Sequence, residues 1–230
     1  MDQSLAATLY TASTWVIPVI LAITLHEAAH GFAARRFGDD TAWLLGRVTL
    51  NPLKHIDPFG TILLPAVLLL AGSPVLFGYA KPVPVNFMAL RNPRRDMVWV
   101  AAAGPAMNIA LATASALLLH AAAYVPEAAV PWVAANLAQS IIINVVLAVF
   151  NMLPLPPLDG GRVAVGLLPD ALARPLARLE RYGLLIIFGL LLILPMLGRE
   201  LGVDLNVIAW IIANVATAIV RVILLLTGHI

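Results

Sequence analysis

The hydrophobic positions of this chain fall into long runs, without the one-sided periodicity of a water-soluble helix or the alternation of a surface strand. An apolar run from about Ala7 to Phe37 comes first, then an uncharged stretch from Pro58 to Ala80. Further runs cover about 97–124, 131–152, 182–197 and 205–226. At about 1.5 Å of rise per residue, the first run exceeds a hydrocarbon core of about 30 Å, so it tilts or protrudes. The stretch Pro58–Ala80 has the length of a span, but Gly60, Pro65, Gly72, Pro74 and Gly78 interrupt it. Gly46–Leu53, with β-branched residues and a proline, predicts an extended strand or hairpin at the membrane surface. Lys81-Pro-Val-Pro-Val-Asn86 also reads as extended, because each proline disfavours helix at the residue before it. Arg174 to Arg181 form a polar, interfacial stretch. The pattern predicts an all-α polytopic membrane protein: about five spanning helices, with a re-entrant or extended segment between the first two.

Composition sharpens this picture. Hydrophobic residues make up 61% of the 230 positions and charged ones 11%, with a mean hydropathy of +0.94. Those values belong to a membrane protein. No linker-like stretch divides the chain, so one membrane-embedded domain is expected over residues 1–230, with a core at 7–162 and accessory helices at 163–230. A net charge of +2, spread along the sequence, excludes a nucleic-acid partner and leaves the lipid bilayer as the chain's surroundings. There is no cysteine, hence no disulfide framework and no thiolate metal site. The N-terminus lacks a basic region and a small-residue cleavage site, so the first helix is expected to be retained. If Pro58–Ala80 dips in and returns, Lys and Arg gather on the side toward which the first helix ends. Only Arg199 then falls on the other side, and Arg221 lies with the majority. This places the protein in the plasma membrane, with that end of the bundle cytoplasmic.

Candidate chemistry sits in the first run. His26-Glu27-Ala28-Ala29-His30 puts two imidazoles one helical turn apart, on one face. Both can bind a single metal ion, and Glu27, about 100° round the helix, can reach the ion's open side as a general base. Carboxylates and imidazoles within a lipid-embedded helix are costly and mark functional sites. A catalytic zinc needs three protein ligands and an open position. The candidates for the third are His55, His120, Asp39, Asp40, Asp57 and Asp159. His120 lies toward the opposite end of the bundle, and Asp39 and Asp40 read as a helix-terminating turn. Asp159 follows a proline-rich break and precedes two glycines; its competing reading is the N-cap of a helix starting near Gly160. His55 and Asp57 read as site or surface residues near Lys54.

Three ordered motifs now stand on the page: His26-Glu27-x-x-His30, Gly104-Pro-x-x-Asn108 and Asn151-x-x-Pro154-x-x-x-x-Asp159-Gly160. Together they resemble the site-2 protease family, peptidase family M50, over about Leu21 to Arg162. The resemblance implies an intramembrane zinc metalloprotease with one Zn²⁺ per chain, held by His26, His30 and Asp159. It makes Glu27 catalytic and gives Asn151 a role in holding substrate or oxyanion. It implies a transmembrane peptide as substrate. The chain has no room for a PDZ or CBS domain, as in compact prokaryotic members. Two other classes compete. A non-catalytic scaffold retaining a structural metal would not need Glu27. A metal-ion transporter would need a second cluster of intramembrane acidic or histidine residues, which the sequence does not offer.

Overall fold

Three helices packed through small residues form the centre of the molecule. The computed structural model describes residues 2–64, 66–67 and 80–230, and every regular element among them is helical. Helix α1 (Asp2–Arg36) is followed by a short α2 (Thr41–Leu44). Helices α3 (Pro93–Leu119) and α4 (Val130–Asn151) form a hairpin. After them come α5 (Asp159–Leu167) and α6 (Asp170–Arg178). An arm of α7 (Gly183–Phe188), a π turn (Gly189–Ile193) and α8 (Leu194–Glu200) leads to α9 (Val207–Leu226). Five helical stretches are long and apolar enough to cross a bilayer: Leu9–Arg36, Pro93–Tyr124, Glu127–Asn151, Asp170–Glu200 and Val207–Leu226. The expected all-α membrane bundle is therefore what the chain forms.

Lipid tails are as apolar as leucine, so helices in a bilayer associate by close packing and interhelical hydrogen bonds. The buried face of α3 follows that rule: Ala101, Gly104, Asn108, Ala112 and Ser115 recur every three or four residues. On α1 the buried positions include Ala22, Ala28, Ala29 and Ala34. Beyond the site the bundle is closed by Ala112, Ala116, Ile141, Val145 and Val149 of α3 and α4 against Ala216 and Ile223 of α9.

The last helix runs in an unexpected direction. Its first turns, at Ile208, Ile211 and Ile212, pack on the cluster of Leu153, Leu158 and Ile187. Its far end is tied to the end of α3, where His120 Nε2 meets the Thr227 carbonyl at 2.7 Å. His229 Nε2 meets the Ala116 carbonyl at 2.8 Å, and the two imidazoles stack with centroids 4.1 Å apart. Helix α9 is thus parallel to α3. The arm starts where Gly183 lies against Pro157, and it returns α9 to the same end of the bundle. This corrects the expected position of Arg221, which sits toward the His120 end; the packing of Ile223 and Thr227 decides the direction, not one arginine.

The surface segments also differ from expectation. No strand forms among the described residues. Within 46–53, Asn51 Oδ1 accepts from the Leu53 N–H at 3.0 Å and caps a 3₁₀ turn at Pro52–Lys54. Residues 80–86 form no regular element and cannot build a ladder, since Pro82 and Pro84 lack an N–H. They are instead pinned at three points. Lys81 donates its N–H to the His55 carbonyl at 2.9 Å, and its own carbonyl accepts from Arg47 Nη2 at 2.9 Å. Val83 donates to Glu27 Oε2 at 2.7 Å, and Asn86 to Asp39 Oδ2 at 2.7 Å. The expected re-entrant path falls largely on residues 65 and 68–79, outside the described residues. Its described flanks, His55 and Lys81, are hydrogen-bonded to each other.

The direction of α9 can be checked by labelling single cysteines from each side of the membrane. Glu200→Cys should react from the same side as Arg95→Cys, and Ile230→Cys from the side of Tyr124→Cys. The opposite pairing would reverse α9.

Candidate metal centre and active site

His26 and His30 lie past the middle of α1, on the face turned to α3. Their Nε2 atoms are 3.1 Å apart. Asp159, the first residue of α5, brings its Oδ2 to 3.2 Å from His26 Nε2 and 3.3 Å from His30 Nε2. All three side chains are buried. The chain reaches this arrangement by doubling back after α4. At Gly160 a Cβ would strike the backbone carbonyls of Met152 and Leu153, and at Gly161 it would strike Leu155 and Pro156. The two glycines therefore let α5 begin hard against the end of α4, which turns Asp159 toward α1. Asp159 does not act as an N-cap; that position is Leu158, and no side chain caps the helix.

The protonation pattern of the histidines can be read from their other ring atoms. His30 Nδ1 lies 2.7 Å from the Val100 carbonyl, which can only accept, so Nδ1 carries the hydrogen. His26 Nδ1 lies 2.5 Å from Asn108 Oδ1. That oxygen is identified by its sister Nδ2, which donates to Asn144 Oδ1 at 2.8 Å and to the Ala22 carbonyl at 3.3 Å. As neutral imidazoles, the form that binds a metal, both rings then turn bare Nε2 lone pairs toward one point. Asp159 Oδ2, also buried, has no polar partner among the described residues beyond those two nitrogens. Three acceptors converging inside a protein need a cation between them. Two imidazoles and a carboxylate are a donor set of catalytic zinc, and tetrahedral ligands about 2.05 Å from an ion are about 3.3 Å apart. The observed triangle fits that spacing.

Gly104 explains how α3 comes so near. A Cβ there would lie within 3 Å of the Nε2 atoms of both histidines. Asn108, one turn along the same face, then reaches His26. The Gly104-Pro-x-x-Asn108 motif is thus a floor beneath the imidazoles plus a hydrogen-bond partner for one of them, the kind of outer contact that orients metal ligands.

Above this point opens a cavity of about 420 Å³, lined among others by Ile23, Glu27, Val83, Phe87, Asn151 and Arg162. Glu27 is half-buried at its edge, held by the Val83 N–H. Asn151 lines the same cavity, with its Nδ2 donating to the Leu147 carbonyl of its own helix at 3.0 Å. The other candidates lie elsewhere. Asp57 accepts from Phe59 and Gly60 N–H groups at 3.0 and 2.7 Å, capping Pro58–Leu63. His55 Nε2 is 3.0 Å from the Thr49 carbonyl and fixes that loop. Asp39 is buried and joins Thr41 to Asn86, whereas exposed Asp40 lies 3.4 Å from Arg35 Nε. His120 is at the far end of the bundle. Among the described residues, His26, His30 and Asp159 are the group of His, Cys, Asp or Glu side chains close enough to share a metal ion. One partner was missed in the sequence: Asn144, a buried amide in a helix long and apolar enough to span a bilayer, which is itself the signal that could have found it.

A model of peptidase family M50 matches residues 14–128 and 123–194. The chain belongs to peptidase family M50. It is 42% identical to "Putative zinc metalloprotease YwhC" of Bacillus subtilis, over 85% of this chain and 87% of that protein. It is 36% identical to "Putative zinc metalloprotease Rip2" of Mycolicibacterium smegmatis, over 78% of this chain and 66% of that one. Against the Mycobacterium tuberculosis protein of the same name the identity is 33%, over 80% and 68%. No solved structure matches the chain. Membership in this family makes the chain a membrane-embedded metalloprotease by class.

The close passage of α3 makes a prediction. Gly104→Ala should lose most bound metal, measured by elemental analysis of the purified protein, although no ligand is changed. Wild-type metal content in that variant would show that the rings can retreat from the added methyl.

Proposed function

We propose that this protein is an intramembrane zinc metalloprotease that hydrolyses peptide bonds of transmembrane segments. In this reading one Zn²⁺ per chain is held by His26, His30 and Asp159, Glu27 is the general base, and Asn151 assists. The observation that carries it is the meeting of three bare acceptor atoms at the floor of a cavity that also holds Glu27. His26, Glu27 and His30 lie on a helix long and apolar enough to cross a bilayer, so a peptide reaching them comes from the membrane or its surface.

When bound, zinc would supply Lewis-acid chemistry, lowering the pKa of a coordinated water to about 7. The chain's own groups do the rest. His26 and His30 hold their Nε2 lone pairs inward because Asn108 and Val100 occupy their Nδ1 hydrogens. Asp159 balances charge: the ion with two neutral imidazoles and one carboxylate leaves a single positive charge, and Glu27 cancels it. That matters where unbalanced charge is costly. The Glu27 carboxylate takes the proton of the attacking water and returns it to the leaving amine. The Asn151 amide turns from the Leu147 carbonyl to the developing oxyanion. A helical substrate must first unwind to expose its scissile carbonyl, and residues 80–86 along the cavity give its freed backbone groups a partner. Lys and Arg from Arg35 to Arg181 lie toward the site end, which supports a plasma-membrane protein with its active site facing the cytoplasm.

Intact Glu27 in the cavity argues against a scaffold with a structural metal. Among the described residues no second metal-binding group exists to continue a transport path.

Two measurements test this on zinc-loaded protein with a transmembrane peptide substrate. Glu27→Gln should abolish cleavage while zinc content stays near one per chain. Asp159→Ala should lose both, and Asp57→Ala should keep its zinc; full zinc in the former with loss in the latter would move the ligand to Asp57. Separately, Asn151→Ala should lower kcat by about 10²–10³ with zinc unchanged, the usual effect of removing one oxyanion donor. Unaltered turnover would remove Asn151 from the reaction.

A further inference from the structure

The cavity is backed by a chain of buried amides that crosses from α4 through α3 to α1. It starts at a backbone carbonyl. Asn144 Nδ2 donates to the Ser140 carbonyl at 2.9 Å, and with less favourable length to Ser140 Oγ at 3.2 Å. A carbonyl cannot donate, so this contact fixes which end of the Asn144 amide is nitrogen. Asn144 Oδ1 must then face α3, where it accepts from Asn108 Nδ2 at 2.8 Å. The Asn108 amide is thereby oriented with Oδ1 toward His26 Nδ1. An oxygen there requires a hydrogen on Nδ1, so that the neutral ring presents a bare Nε2 toward Asp159. Asn144 and Asn108 are almost wholly buried, at 1% and 0% exposure, so water cannot replace a lost partner.

We infer that Asn144 is a positioning residue of the metal site, holding His26 in its metal-binding tautomer through Asn108. This rests on the proposed zinc centre. Asn144 touches neither substrate nor metal. With a leucine in its place, Asn108 Nδ2 keeps only the longer contact to the Ala22 carbonyl. The amide can then turn over and present N–H to His26 Nδ1. The ring answers by moving its hydrogen to Nε2, where it blocks the ion. An aspartic acid in the same place preserves the relay. Buried and protonated, it donates O–H to the Ser140 carbonyl and accepts from Asn108 with its other oxygen.

The test is zinc affinity, measured on purified full-length protein by competition with a chromophoric chelator, without any substrate. Partners behind a metal ligand typically contribute about 10–100-fold in affinity. Asn144→Leu should bind zinc about tenfold or more weakly than wild type, and Asn144→Asp should restore most of the loss. Asn136→Leu removes another amide of α4, one whose hydrogen bond among the described residues is to the Trp132 carbonyl of its own helix, and should leave affinity unchanged. Thermal melting of the metal-free proteins checks that each variant is folded. Wild-type affinity in Asn144→Leu would overturn the inference while the zinc centre stands. Equal weakening in Asn144→Leu and Asn144→Asp would overturn it too, since the second keeps the acceptor. A wild-type protein without measurable zinc affinity would instead fail the proposed centre itself.

Discussion

The geometry of the site depends on how closely α3 passes beneath His26 and His30. Helices in lipid gain nothing from hiding apolar side chains from each other, so contact distance and hydrogen bonds decide what packs. At Gly104 there is no side chain between the α3 backbone and the two rings. From that approach follow the Val100 carbonyl on one ring and Asn108 on the other, and hence the inward lone pairs. A single methyl in this gap would displace both ligands at once. The alanine-rich faces of α1 and α3 serve the same end over a longer distance.

The second requirement is that each buried polar group find its partner within the protein. The pieces here are economical: a backbone carbonyl orients one amide, that amide orients the next, and the last orients a ring. Such bonds between helices contribute only about 0.6–2 kcal/mol each. Their value at this site is direction: they determine which nitrogen of His26 faces the cavity.

Much of this was legible in the sequence because it is local. His26, Glu27 and His30 share one helix, so their spacing alone puts them on adjacent faces. Asp159 could be singled out from its prolines and glycines, though the same residues also fitted a helix cap, and only the doubled-back path after α4 separates the two. The apolar runs gave the helices because length and hydropathy suffice. What failed depended on contacts between distant segments. Residues 46–53 had strand-like composition, but an Asn-capped turn at Pro52 took precedence. The direction of α9 was read from charge, whereas Ile208 at one end and Thr227 at the other determine it. Asn144 went unnoticed because its meaning lies in Asn108, on another helix. Asn151 was legible as a cavity residue, but its resting bond to Leu147 was not.

The pinned segment along the cavity has a chemical polarity. Pro82 and Pro84 have no N–H, and the one between them, on Val83, is engaged by Glu27. Over these three residues no N–H is left to donate, and the Pro82 carbonyl already accepts from Arg47 Nη2 at 3.3 Å. A peptide laid against this edge can be held there only through its own amide hydrogens. In the substrate pairing proposed above, the edge would discriminate by backbone: an incoming strand with a proline in that register has one fewer way to stay, whatever its side chains.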